Sequence, residues 1–390
     1  MKNRLFWKNA IEERLKEKSI VWLTGVRRAG KTFLCRSFDE ISYFDCELPR
    51  VRRMMEDPQS FLETVQGRRI VLDEIHRLPN PSEILKIAAD HYPDIQIIAT
   101  GSSSLSASAK FKDTLADRKR ELWLTPMIAL DAEYFGNTDL KHRFLYGGLP
   151  PFFIHTRYPE RNFQDWIDAF WAKDIQELFR LERRYSFQKF FEFIMIQSGG
   201  IFEANHFAAP CEASRTTISN YLKVMEATYV AYVIRPFSSR RQNEIISAPK
   251  VYGFDTGFVC YYRGWHELRD DDMGYLWEHF VLNELFAYRQ IRDVYYWRDK
   301  QGHEIDFVIN QRGKPILAIE CKWRDKEFDP VNVKVFLKHY DKAQVCVVSH
   351  NVNQPYSRRY GDFTVRFINL TGLENICKTL LCSDSNAGLE

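Results

Sequence analysis

Ile20-Val21-Trp22-Leu23-Thr24-Gly25-Val26-Arg27-Arg28-Ala29-Gly30-Lys31-Thr32-Phe33 passes from an apolar strand-like run into a glycine-punctuated loop and then a helical pattern over 32–38. Gly25 to Thr32 match G-x-x-x-x-G-K-[ST], and the strand before and helix after are the context that motif requires. Phosphate oxygens need several donors converging at close range. Glycines let consecutive backbone N–H groups face inward at the positive end of a helix. Residues Gly25, Val26, Arg27, Arg28, Ala29, Gly30, Lys31, Thr32 and Phe33 are therefore the expected ATP-binding segment. Lys31 supplies a point charge to the β- and γ-phosphates, and the Thr32 hydroxyl joins a Mg²⁺ shell. A glycine-containing turn before an ordinary helix is the bland alternative.

Fifty residues on, Ile70-Val71-Leu72-Asp73-Glu74 is an apolar run of buried-strand type ending in two adjacent acids, the pattern of a Walker B motif. The strand delivers Asp73 to its carboxyl end as the second metal residue. Glu74 is the expected base that polarises the attacking water. Capping of the next helix is the alternative use of such acids. The strand Gln96–Thr100 then runs into Gly101-Ser102-Ser103-Ser104, where Ser102 is read either as a γ-phosphate or water contact or as part of a plain loop. Arg118 is read as an arginine finger, in cis or in trans, or as one of a solvated basic run with Lys119 and Arg120.

Around this motif pair, 19–130 alternates apolar runs with amphipathic stretches, which predicts a three-layer α/β domain with a mainly parallel sheet. Its expected strands are Ile20–Thr24, Ile41–Phe44, Arg69–Asp73, Gln96–Thr100 and Glu121–Leu124. Residues 144–228 are helical in period and rich in aromatics. The region 202–254 reads as a winged helix-turn-helix, with Arg215, Thr216, Thr217, Ser219, Asn220 and Lys223 on an exposed helix face and Arg235, Arg240 and Arg241 beyond it. That face suits DNA contacts, and an internal scaffold is the equal alternative. A helix from Leu276 and strands Val294–Trp297, Glu304–Ile309, Ile316–Glu320 and Gln344–Ser349 make a second α/β domain. Period-2 geometry pairs Glu304 with Asp306, and Glu320 with Lys322, on one strand face each. Glu278, Asp306, Glu320 and Lys322 thus form a possible Mg²⁺ nuclease-like site, with ordinary cross-strand charge pairs as one competing reading and an inactive nuclease-like fold used for binding or regulation as the favoured one. Tyr295, Tyr296, Trp297 and Trp323 default to core packing.

The wider composition bounds these readings. A chain of 390 residues with 45% apolar and 27% charged residues predicts several folded domains, and its net charge of +3 gives no global argument for nucleic acid. Its 8 Cys lack a C-x-x-C pair, which points to reduced thiols. No run approaches the length of a membrane span, and the expectation is a cytoplasmic protein with no membrane partner. No N-K-x-D segment reads guanine. The expected boundaries are 1–136, 137–260, 261–382 and a tail, 383–390.

Taken together, GVRRAGKT, IVLDEIHRLP, IIATGSSS, YGGLP (Tyr146 to Pro150), KVYGFDTG (Lys250 to Gly257) and YYWRDKQGHEIDFVI (Tyr295 to Ile309) resemble a family of prokaryotic AAA-superfamily ATPases. That family carries a C-terminal domain of unassigned function, here similar to the restriction-endonuclease-like fold. The resemblance implies ATP and Mg²⁺ binding, an AAA-like strand order, and self-association as a possibility. It departs at Asp117, where the family usually has Gly before the arginine.

Overall fold

A computed structural model describes residues 4–101, 115–176, 179, 181, 183–238 and 248–381. The chain divides into two compact units, Met1–Thr138 with Gly148–Arg184 and Leu222–Val230, and Asp139–Gly147 with Tyr185–Tyr221 and Ala231–Glu390.

The first unit is built on a five-stranded parallel sheet: β1 (Ile20–Thr24), β2 (Ser42–Asp45), β3 (Arg69–Asp73), β4 (Gln96–Thr100) and β5 (Lys119–Trp123), in the order β2-β3-β4-β1-β5. The three central strands, β1, β3 and β4, are apolar and buried on both faces because both are covered, as parallel sheets require. β1 is buried throughout, and the side chains of Ile20, Trp22, Ile70, Leu72, Ile97 and Ala99 share a core with Phe61, Leu62, Ile84 and Leu85 from neighbouring helices. Burying each large member contributes about 1.5–3 kcal/mol. A helix over Leu5–Glu17 buries Trp7, Ile11 and Leu15, one stripe at a four-residue spacing. Because all five strands run the same way, their carboxyl ends share one rim, where the loop after β1 and the acids after β3 meet. The expected three-layer parallel sheet is present, with β2 one residue later and β5 two residues earlier than the sequence pattern implied.

The second unit is organised on a mixed nine-stranded sheet: β6 (Gly200–Ile201), β7 (Ala231–Pro236), β8 (Lys250–Gly253), β9 (Val294–Arg298), β10 (Glu304–Ile309), β11 (Leu317–Lys322), β12 (Gln344–Ser349), β13 (Tyr356–Tyr360) and β14 (Phe363–Ile368). β7 pairs parallel with β9, so the hairpin strands join the same sheet as β10 and β11. The helix Asp270–Arg289 is the main support: Asp272 accepts from the Arg269 backbone N–H at 3.0 Å to cap its start, and its second half is almost wholly buried. Helices Arg184–Ile196, Ala204–Ala208 and Arg215–Ala227 precede β7 and β8, and β8 pairs antiparallel with both β6 and β7.

Candidate functional site

The loop between β1 and the helix Lys31–Arg36 turns through three positive φ angles, at Gly25 (137°), Arg28 (63°) and Gly30 (99°). Glycine at the first is required twice over, by its conformation and because a Cβ there would stand 2.3 Å from the Leu124 carbonyl oxygen. Val26 and Ala29 anchor the loop inward at 1% and 0% exposure. The helix begins at Lys31 with Leu34 N–H donating to Gly30 O at 2.9 Å, which leaves the first helical N–H groups at the loop mouth. Lys31 Nζ donates to Gly25 O (2.8 Å) and Val26 O (3.2 Å), closing the loop on itself. Burial lowers the Lys31 pKa against the opposing pull of Glu74, Asp174 and Asp73.

β3 carries Asp73 to the same rim. Thr32 Oγ1 donates to Asp73 Oδ2 at 2.8 Å, Tyr43 Oη donates to the same oxygen, and Thr100 Oγ1 donates to Oδ1. Three hydroxyls from three elements therefore orient one carboxylate that is 3% exposed. Glu74 follows in the left-handed region (φ 53°), a conformation stored at functional sites more often than elsewhere. Its backbone N–H is held by Thr100 Oγ1 at 3.1 Å, and its carboxylate lies 3.2 Å from His76 Nδ1. Burial pushes the Glu74 carboxyl up, but His76, Lys31 and Arg27 together hold it below the usual value.

A cavity of about 820 Å³ opens over this rim, and its lining includes Gly25, Gly30, Lys31, Thr32 and Glu74 together with Phe33, Phe135, Pro150 and Ile154. Such a mixture of charged and apolar lining suits a ligand with a phosphate tail and a flat base. Phe33 and Ile154 stay 45% and 62% exposed. Arg4, Arg27, Lys173 and Asp174 are also in the lining.

Of the residues expected from sequence, Lys31, Thr32, Asp73 and Glu74 are brought together. Ser102 lies outside the described residues. Arg118 lies apart from these four. Lys119 pairs with Ile20 while Trp123 pairs with Thr24, so Arg118 precedes the amino end of β5, on the order of 13 Å of strand from the phosphate-binding rim. There its guanidinium is paired with Asp90 at 2.7 Å. Sequence reasoning missed Tyr43, Thr100, Arg4, Lys173 and Asp174, none of which carries a local signal.

A glycine-lined loop, an ammonium, a threonine hydroxyl and two strand-end acids on a parallel sheet define a P-loop nucleoside-triphosphatase fold. Residues 17–131 match the family model described as an AAA domain, and 137–269 and 273–371 match two domains of unknown function (DUF8612 and DUF4143). The chain is 26% identical over 306 residues to uncharacterized proteins of Mycobacterium tuberculosis (Rv2008c) and Mycobacterium bovis (Mb2031c), covering 76% of this chain and 68% of each relative. Among solved structures it is similar to a half-complex of Thermococcus gammatolerans McrB AAA+ hexamers with bound McrC (TM-score 0.23, 11% identity, 51% of this chain and 52% of that one). It is also similar to the Bacillus subtilis DNA clamp loader delta protein (TM-score 0.27, 13% identity, 71% of this chain and 97% of that one). Likenesses this slight leave the fold assignment to the sheet order and the family match.

In the second unit, Glu278, Asp306, Glu320 and Lys322 also converge. Lys322 Nζ lies 2.7 Å from Glu320 Oε2 and 3.7 Å from Asp306 Oδ2, and the Cys321 N–H donates to Asp306 at 2.7 Å. Lys250, to which the sequence assigned no role in this cluster, pairs with Glu304 and lies 3.7 Å from Glu278, which also accepts from Tyr252 Oη at 2.5 Å. Burial, with Asp306 next, raises the carboxyl pKa of both Glu278 and Glu320. Among the described residues no group of three or more His, Cys, Asp and Glu side chains is placed to hold a metal ion. Nor is any described helix long and apolar enough to cross a membrane.

Proposed function

We propose that the first unit binds and hydrolyses ATP with Mg²⁺. The observation that carries this is the Thr32 hydroxyl held 2.8 Å from Asp73, directly beside Glu74 and the Gly25–Gly30 cradle. The donor set fits the cofactor: a hydroxyl and a hard carboxylate at one point are the protein share of a Mg²⁺ shell completed by phosphates and water. Bound there, the ion would neutralise charge on the β- and γ-phosphates. The loop N–H groups and Lys31 bind those phosphates. Glu74, held ionised, orients and deprotonates the attacking water. Mg²⁺-dependent phosphate release, measured against Glu74→Gln, tests this. Turnover equal in the two proteins would refute it. Arg118, out of reach of its own phosphates, acts at a nucleotide only in trans, which requires self-association.

The second reading is that the chain acts on DNA. What favours it is the order helix, strand, helix, helix, hairpin over 184–253, as in a winged helix-turn-helix, with Arg215, Thr216, Asn220 and Lys223 exposed on the third helix. The Glu278, Asp306, Glu320 and Lys322 cluster supports a nuclease-like fold for the C-terminal region. Duplex DNA added to the turnover assay and to a cleavage assay tests both. DNA that neither binds nor stimulates removes the DNA reading, and cleavage that persists in Lys322→Ala removes the nuclease site.

A further inference from the structure

The phosphate-binding loop has a charged neighbour that neither motif contains. After the helix Glu160–Phe170 the chain winds into a π-helix, Trp171–Gln176, a rare geometry found disproportionately at functional sites. Two anchors set this segment against the loop. Trp166 Nε1 donates to the Arg27 carbonyl at 3.1 Å, and Arg27 Nη1 donates to Asp174 Oδ2 at 3.4 Å. Asp174 and Lys173 both line the cavity. Arg27 Nε is buried and has no hydrogen-bond partner among the described residues, so the guanidinium is only partly satisfied by Asp174.

We propose that Asp174 is a charge sensor for the third phosphate, a positioning residue that holds Arg27 until an added γ-phosphate competes for it. This rests on the reading of the loop as an ATP site. A γ-phosphate adds negative charge beside Lys31. The Asp174 side chain, 17% exposed and poorly screened, lies in the same electrostatic neighbourhood and repels it, while the Arg27 guanidinium has donors for either anion. Burial already makes the Asp174 carboxylate costly, raising its pKa against the pull of Arg27 and Lys31. A competing phosphate must therefore leave Asp174 a buried carboxylate without its partner, a cost that falls on ATP and not on ADP. ADP lacks the competing group and leaves Arg27 with Asp174, so the two nucleotides give the π-helix different anchors.

The test is the ratio of ATP to ADP affinity, read with fluorescent nucleotide analogues in wild type, Asp174→Asn and Arg27→Gln. Asp174→Asn keeps the shape and removes the charge, and is expected to shift the ratio toward ATP by about tenfold, within the usual range of about 5- to 150-fold for coupled groups. Arg27→Gln is expected to shift it toward ADP, and the effect of Asp174→Asn to shrink in the double variant to its direct repulsion alone. A ratio within about twofold of wild type in a folded Asp174→Asn protein overturns the sensor while leaving the ATP site standing. Wild type that binds neither nucleotide overturns the ATP reading itself, and the sensor falls with it.

Discussion

Asp131 offers the sharpest test of how the phosphate-binding loop is held. Its carboxylate accepts from Arg4 Nε (3.0 Å) and Nη2 (2.5 Å), from Trp7 Nε1 (3.0 Å) and from the Ile128 N–H (3.2 Å). Arg4 turns its remaining nitrogen, Nη1, to the Ala29 carbonyl in the loop at 2.8 Å. The two side chains are 2% and 0% exposed, so water cannot replace a lost partner. Asp131→Ala therefore strands a buried guanidinium, at a cost of about 3–5 kcal/mol. For a unit of roughly 150–250 residues, where each kcal/mol is worth about 2–4 °C, the melting temperature should fall by on the order of 10 °C. Calorimetry with and without nucleotide identifies the right transition, since it is the one a bound ligand raises. Asp131→Asn, which keeps an acceptor, should lose less. A loss under about 1 kcal/mol in Asp131→Ala would refute the claim that this buried pair, which reaches the Ala29 carbonyl through Arg4, helps to pin the loop.

Three further outcomes follow from the same geometry. Tyr43→Phe removes one of the three hydroxyls on Asp73 and should raise the Mg²⁺ concentration for half-maximal turnover by about 10- to 100-fold with little loss of fold, read by Mg²⁺ titration. Burial lowers the His279 pKa to about 4. The unfolded chain then binds the extra proton, so the second unit should lose about 3 kcal/mol as pH falls from 6.5 to 4, and His279→Gln should abolish that slope in denaturant titrations. Glu320 has the opposite sign. With its folded pKa raised, its contribution is present below the unfolded carboxyl value and is lost as pH rises, so Glu320→Gln should flatten a decline in stability from about pH 5 to 8.

What could be read from sequence was what is contiguous. The loop from Gly25 to Thr32 and the pair Asp73-Glu74 carry their chemistry within a few residues, and β1, β3, β4, β10 and β12 have the limits their apolar runs predict. β5 begins at Lys119 because that side chain, charged yet only 9% exposed, lies along the sheet beside Glu121 instead of in solvent. β13 escaped notice for the reverse reason: Ser357, Arg358 and Arg359 are exposed at the sheet's edge, so no buried alternation marks them as strand. The orienting residues of the site were illegible for a topological cause. Tyr43 and Thr100 meet Asp73 across 30 and 27 residues, and Arg27 meets Asp174 across 147, because β2 and β4 flank β3 and a later segment closes over the loop.

The two carboxylate clusters differ in a way that composition could not predict and that bears on where a divalent cation would bind. Around Asp73 the hydrogen-bond donors are neutral hydroxyls, which orient the oxygens and leave the negative charge uncancelled. Around Asp306 and Glu320 the donors include ammonium groups, Lys322 on one side and Lys250 on Glu304 beside Glu278, which cancel that charge before any ion arrives. A cation entering the second cluster must displace a lysine from a buried ion pair and leave that lysine unpaired, a cost of several kcal/mol. One entering beside Asp73 displaces only a hydroxyl proton's direction. Manganese titration should accordingly find its tighter site lost in Asp73→Asn and untouched in Asp306→Asn. The reverse pattern would place the metal chemistry of this chain in its C-terminal unit.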